Sequence, residues 1–188
     1  MEQRIKKIIR RLEKKYPSPK TQLVFSTPFQ LLVATILSAQ TTDTTVNKIT
    51  PLLFEKYPTP QAMASAPLEE IKKIIKPVNY HNTKAVNIKK LSEILVKKFN
   101  SKVPDTMEEL IQLPGVARKT GNVVLSQAFG KNEGIVVDTH VKRLSDRLGL
   151  SKEKTPEKIE ADLMKIVPRD KWTSFPFMLI LHGRNVCN

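Results

Sequence analysis

Residues 113–140 read LPGVARKTGNVVLSQAFGKNEGIVVDTH, and the remainder of the chain can be interpreted outward from them. Pro114 and Gly115 stop one helical pattern and let another begin, so 113–116 is read as a tight hairpin between a short helix, 106–111, and a longer one, 117–129. Amides at such a turn and at the helix start that follows can grip one phosphate without reading sequence, although the same turn also serves as an ordinary helical corner. Lys119 falls in the first turn of the second helix. Lys119, Asn122 and Ser126 form a polar stripe opposite an apolar one of Gly121, Val124, Leu125 and Ala128, so the lysine is expected to stand on a packed helix and face a groove. Asp138 precedes the periodic run Val141, Leu144, Leu148 and reads first as an N-cap. A carboxylate held there can also stabilise a cation or accept a proton, so the two roles are compatible. His140 is read as a structural hydrogen-bonding residue.

Outward from this stretch the pattern is one helix after another. Thr27, Pro28 and Gln30 resemble a capping box with proline at the first helical position, leading into Phe29, Leu32, Val33 and Ile36 of a helix expected to be central and buried. Further starts lie at Thr59 with Pro60, Ala66 with Pro67, Thr106 with Glu109, and Thr155 with Pro156. Apolar residues recur at helical spacing at Leu68, Ile71 and Ile75, at Ile88, Leu91 and Leu95, and at Ile159, Leu163 and Ile166. The 13 prolines therefore punctuate helices. Pro51 is the awkward one, expected to kink or restart the helix it interrupts. The β-branched run 135–137 is too short for a sheet, and the fold class is all-α.

Composition narrows the function. The 188 residues suffice for one or two domains with a real core, and 32 Lys plus Arg against 18 Asp plus Glu leave a formal charge of +14. That excess favours a polyanionic partner, because each neutralised phosphate releases counterions. One cysteine excludes an internal disulfide framework and fits a reducing compartment, here the cytoplasm and its nucleoid in a bacterial or archaeal cell. No apolar run approaches the ~20 residues of a membrane span. The N-terminal MEQRIKKIIRRLEKKYP is a basic amphipathic helix, with Ile5, Ile8, Ile9 and Leu12 on one face, and it lacks the apolar core of a secretion signal. It is read as packed on the domain, with a membrane-surface helix as the alternative.

Several of these segments resemble the endonuclease III family of helix-hairpin-helix DNA glycosylases. LPGVARKTGNVVL and VDTHVKRLSDRLGL carry the resemblance, joined by LLVATILSAQTTD near the start and MLILHGRNVC at the end, so it covers nearly the whole chain. It implies a bifunctional base-excision repair enzyme acting, as a monomer and without a membrane, on double-stranded DNA with damaged bases or abasic sites. Such an enzyme flips an oxidised pyrimidine out of the duplex, cuts its glycosidic bond and nicks the backbone by β-elimination. By position, Lys119 would be the nucleophile that forms the Schiff base and Asp138 the assisting carboxylate. Gln40 would fill the space left by the flipped base. Leu113, Gly115 and Val116 would supply the phosphate-binding hairpin, with Arg118 beside it on the DNA. The implied architecture is two helical lobes, 23–133 and 1–22 plus 134–188, with Lys119 and Asp138 facing each other at the interlobe cleft. A monofunctional glycosylase of the adenine-mismatch type and a non-catalytic DNA-binding module are the other readings.

The sequence departs from the family pattern in five places. Ala117 stands where a second hairpin glycine is common, and Gly121 where alanine is usual, at about 1 kcal/mol of helix propensity. Asn79 replaces a glycine and suggests a left-handed backbone there; His81 replaces a tyrosine. Cys187 matches the first of four cysteines that hold a 4Fe-4S cluster in most of the family, but the other three are absent. No cofactor is therefore expected in this chain. A cluster is expected only if the natural protein continues beyond Asn188, and the placement of Cys187 favours such a truncation over an ordinary buried thiol.

Overall fold

A computed structural model describes residues 2–187. In chain order the helices are α1 (Glu2–Lys15), α2 (Pro28–Leu37), α3 (Asp43–Lys56), α4 (Pro60–Ser65), α5 (Leu68–Ile74), α6 (His81–Lys98), α7 (Met107–Leu110), α8 (Arg118–Ala128), α9 (Thr139–Arg147), α10 (Pro156–Ile166) and α11 (Ser174–Asn185). Among the described residues there is no strand, and the run 135–137 is buried loop. No helix among the described residues is long and apolar enough to cross a membrane. The chain divides into two compact units, Gln22–Phe129 and Met1–Thr21 with Gly130–Asn188.

The unit Gln22–Phe129 is arranged around α2. Thr27 accepts the Gln30 amide (3.2 Å), Pro28 supplies a preset φ, and the Gln30 side chain reaches back to the Ser26 amide (2.8 Å). Every residue of α2 from Leu31 to Leu37 is buried, and the helix packs against α3, α6 and α8. A helix apolar on all sides belongs at the centre of its unit, each buried leucine contributing about 2 kcal/mol. Threonine side chains also cap α3, α4 and α7, through Thr42, Thr59 and Thr106. Proline acts alone at two other starts. Pro67 is itself the cap residue of α5, while Pro156 opens α10 without a bond from the Thr155 side chain.

Two sequence expectations change here. α3 runs through Pro51 as one helix. Asn47, one turn earlier, ties the helix to the preceding loop by accepting the Val24 amide (3.0 Å) and donating to the Gln22 carbonyl (2.8 Å), while Leu53 beyond the proline is fully buried. Packing on both sides thus holds the helix together across the missing donor. Gly121 in turn is more than a propensity loss: a Cβ there would lie 2.6 Å from Met107 Sδ, so the missing methyl is the space Met107 occupies between α7 and α8.

The other unit is discontinuous in sequence. α1 buries Ile5, Ile9 and Leu12 in a core shared with Val141 and Leu144 of α9, Ile159 and Leu163 of α10, and Phe175, Met178 and Leu179 of α11. The basic residues of α1 stay on its outer face, as an amphipathic helix requires. Arg4 donates to the Leu148 carbonyl at the end of α9 (2.7 Å), and the hydroxyl of Tyr16, just past α1, meets His182 Nδ1 of α11 at 3.3 Å, so the N-terminal segment is tied to both α9 and α11.

Burial, and secondarily the charge of Lys15, hold His182 below its ordinary pKa. Above an ordinary value of about 6.5 the imidazole is neutral in folded and unfolded chains alike. As pH falls through that value the unfolded chain takes the proton first, so stability is expected to drop between pH 6.5 and the lower folded pKa. Urea denaturation across this range measures the drop, and His182→Gln should remove part of it; an unchanged profile in that variant would assign the acid sensitivity elsewhere.

Candidate active site

The hairpin is built by caps and by the lack of a side chain. At the start of α7 the Thr106 hydroxyl accepts the Glu109 amide (3.4 Å) and donates to the Glu109 carboxylate (2.8 Å). The turn then closes through Leu113 N–H to Leu110 O and Val116 N–H to Leu113 O, both 3.1 Å. Leu113 and Val116 are 2% and 7% exposed, so these two residues anchor the turn in the core and use their amides inside it. Gly115 between them has φ +80 and an exposed backbone. A Cβ on Gly115 would sit 3.0 Å from Asn87 Nδ2 and 3.2 Å from Asn87 Cβ on α6, so both the dihedral and the space require glycine. Ala117 has φ −97 and ψ 170, ordinary extended backbone, and needs no second glycine.

α8 begins at Arg118 without a side-chain cap, its first internal bond being Gly121 N–H to Ala117 O (3.0 Å). The positive end of this helix is therefore presented beside the exposed Gly115, Arg118 and Lys119. The expected polar stripe does not extend along the helix. Asn122 and Ser126 are buried, Ser126 donating to the Val123 carbonyl (3.2 Å). The reason is that α8 is covered by both α2 and α7, which buries every residue from Gly121 to Ser126 and leaves only the first turn open. Lys119 stands in that open turn.

Asp138, in the other unit, caps α9: its Oδ1 accepts the Val141 amide (2.8 Å) and its carbonyl accepts from Lys142 (2.9 Å). It is half-buried, set by the buried run 135–137 that leads into it. His140 lies against Gly183 of α11, where Arg143 Nη2 donates to the Gly183 carbonyl (2.9 Å), consistent with a packing role.

Gln40 sits in the exposed loop after α2, with φ +55. Asn79 Nδ2 donates to the Gln40 carbonyl (2.5 Å) and the Asn79 amide donates to Thr41 Oγ1 (3.2 Å). The left-handed residue expected at Asn79 is instead its neighbour Tyr80, φ +58, which leads into α6 at His81. Asn79 keeps ordinary backbone and uses its amide group on the loop. Lys84, which sequence reading passed over, completes the set: its Nζ donates to Leu37 O (2.8 Å), Ala39 O (2.5 Å) and Thr41 Oγ1 (3.4 Å). It is 6% exposed, and burial pushes its pKa down to about 8. A signal was present, since Lys84 heads the stripe Ile88, Leu91, Leu95 at helical spacing, where a solvated lysine has no place.

Cys187 is half-buried and accepts from Arg147 Nη1 (3.1 Å). A 4Fe-4S cluster takes four thiolates. Among the described residues no group of three His, Cys, Asp or Glu side chains gathers as a metal site, so these residues do not fit a cluster.

The family model for HhH-GPD superfamily base excision DNA repair proteins matches residues 33–169. Endonuclease III of Synechocystis sp. is 51% identical over 185 residues, which span 98% of this chain and 84% of that protein. Endonuclease III of Escherichia coli is 44% identical over 180 residues, 96% of this chain and 85% of that protein. Among solved structures, a trapped endonuclease III–DNA covalent intermediate aligns with a TM-score of 0.95 at 43% identity, covering 100% of this chain and 88% of that one. A thermostable thymine-DNA glycosylase shares the fold, with a TM-score of 0.86 at 23% identity over 99% of this chain and 88% of that one.

Gly115→Ala is expected to cost about 2 kcal/mol in urea denaturation, from the left-handed backbone and the approach to Asn87 together. In an Asn87→Gly background, which removes the Nδ2 and Cβ contacts together, the loss should shrink to about 1 kcal/mol, the backbone part alone. Equal losses in the two backgrounds would remove Asn87 from the argument.

Proposed function

The chain belongs to the endonuclease III family of HhH-GPD base excision DNA repair proteins, and from that premise we propose how its residues divide the work. The protein is a DNA glycosylase with abasic-site lyase activity, and its partner is double-stranded DNA carrying damage. We assign oxidised pyrimidines as the bases removed, and the DNA-bearing cytoplasm as the compartment, in keeping with a chain whose one cysteine allows no internal disulfide.

Lys119 is the nucleophile. The observation that carries this role is an exposed lysine in the first turn of a helix buried from Gly121 to Ser126, directly after an exposed glycine turn. The damaged nucleotide leaves the base stack, because its C1′ is unreachable inside the duplex. The Lys119 amine then bonds to C1′ with its lone pair as the C1′–N bond to the base breaks; the base leaves with the bonding pair and takes up a proton equivalent to the one that the newly bonded amine releases. Opening of the sugar ring gives a Schiff base between Nζ and C1′. Loss of a C2′ proton expels the 3′ phosphate by β-elimination, and water releases the lysine.

Asp138 supplies the negative charge that this sequence needs, stabilising the cationic sugar and accepting the proton the amine gives up. Its Oδ1 bond to Val141 fixes the carboxylate in place, so the cap is also the orienting device. The exposed backbone of Gly115, with Arg118 and the uncapped start of α8, holds a phosphate of the duplex, while the buried Leu113 and Val116 keep the turn in shape. Gln40 fills the space that the flipped nucleotide leaves.

Borohydride trapping on abasic duplex DNA tests the assignment. Wild-type protein is expected to give a covalent adduct and a nick, and Lys119→Ala neither. Asp138→Asn keeps an oxygen for the Val141 amide and should melt close to wild type while losing about 10²-fold in base release. Asp138→Ala should also lose about 1 kcal/mol of stability with the cap. An adduct formed by Lys119→Ala would overturn the assignment.

A further inference from the structure

We propose that Lys84 is a positioning residue for Gln40, its buried ammonium holding the loop 37–41 in the one shape from which Gln40 can enter the base stack. The inference rests on the reading of Gln40 as the residue that fills the vacated space.

Three observations carry it. The partners of Lys84 Nζ are Leu37 O, Ala39 O and Thr41 Oγ1, so they bracket Gln40 on both sides. Gln40 itself is in left-handed backbone, φ +55, which a non-glycine residue keeps only where its surroundings impose it. Finally, an ammonium buried to 6% exposure is costly unless its donors are used, and here they are used on this loop. An amine serving only the end of α2 would stop at the helix's last carbonyls; this one reaches past Gln40 to the Thr41 hydroxyl. Asn79 closes the same clamp, its side chain taking the Gln40 carbonyl and its amide the other side of Thr41 Oγ1. With the carbonyl of Gln40 and the residues on either side of it held, the exposed side chain is the part of Gln40 left to move. Holding the backbone beforehand lowers the entropy cost of inserting that side chain into DNA.

The role separates from ordinary structural support by the substrate on which a loss is seen. Borohydride trapping rates are to be measured on an abasic site in duplex DNA and on the same site in a single strand, where no base stack has to be filled. Lys84→Met keeps the apolar stem and removes the donors. It is expected to slow trapping on duplex by about 10-fold while leaving the single strand within about 2-fold, with Lys84→Arg partly restoring the duplex rate. Gln40→Ala should show the same pattern, and the double variant should be no slower than the worse single one, because Lys84 acts through Gln40. Equal slowing on both substrates would reduce Lys84 to general support of the fold and overturn the proposal, as would multiplying effects in the double variant. Should Lys84→Met not fold, Asn79→Ala, which removes one exposed partner of the loop, is expected to slow only the duplex reaction, and an unchanged duplex rate would count equally against the clamp. If Gln40→Ala has no duplex-specific effect, the reading of Gln40 fails and this proposal with it. If Gln40→Ala shows the effect and Lys84→Met does not, Lys84 alone loses its role.

Discussion

The burial of α2 on every side is the constraint from which the unit Gln22–Phe129 follows. Once Leu31 to Leu37 are covered, α3, α6 and α8 have fixed places against them, and both ends of α2 must satisfy their own polar groups. Thr27 and Gln30 do so at the start. At the other end Lys84 reaches in from α6 and takes the Leu37 carbonyl together with two acceptors of the loop beyond. The same central helix fixes α8, so that Gly121 to Ser126 are inside while the opening turn is exposed. The position of Lys119 at that turn is thus a consequence of what the helix behind it must bury.

Helix ends perform most of the chemistry assigned to this protein. α8 starts without a side-chain cap beside Gly115, which leaves the positive end of a helix available to an anion. α9 starts with Asp138, whose carboxylate both caps the helix and carries charge. The C-terminal end of α2 is met by a buried ammonium rather than by a glycine turn. Each is a local answer to unsatisfied backbone groups, and each leaves a charged or polar group fixed in direction, as a site needs.

The departures from the family pattern make sense against this geometry. Ala117 lies in extended backbone, so glycine is dispensable there, whereas Gly115 at φ +80 against Asn87 is required. Gly121 makes room for Met107. Asn79 has ordinary backbone and uses its amide group to hold Gln40, while Tyr80 takes the left-handed position. Cys187 is hydrogen-bonded by Arg147, and the described residues provide no set of ligands around it.

The sequence by itself determined the helical class, the caps at Thr27, Thr59 and Thr106, the hairpin at 113–116 and the cap at Asp138, because each is written in residues close together along the chain: a capping side chain, a proline at a helix start, a glycine where φ turns positive. It also pointed to Lys119 and Gln40 through segments long enough to resemble a family. Only the tertiary structure decided which faces were open. Asn122 and Ser126 look like a solvent stripe on a helical wheel, yet they are buried because two neighbours cover α8. Pro51 reads as a break, yet α3 continues because packing on both sides of it holds the helix. Lys84 reads as one lysine among many, and its partners lie more than 40 residues away in sequence. Spacing along a chain records what a residue can do, whereas burial and partners at long range depend on which other surfaces arrive.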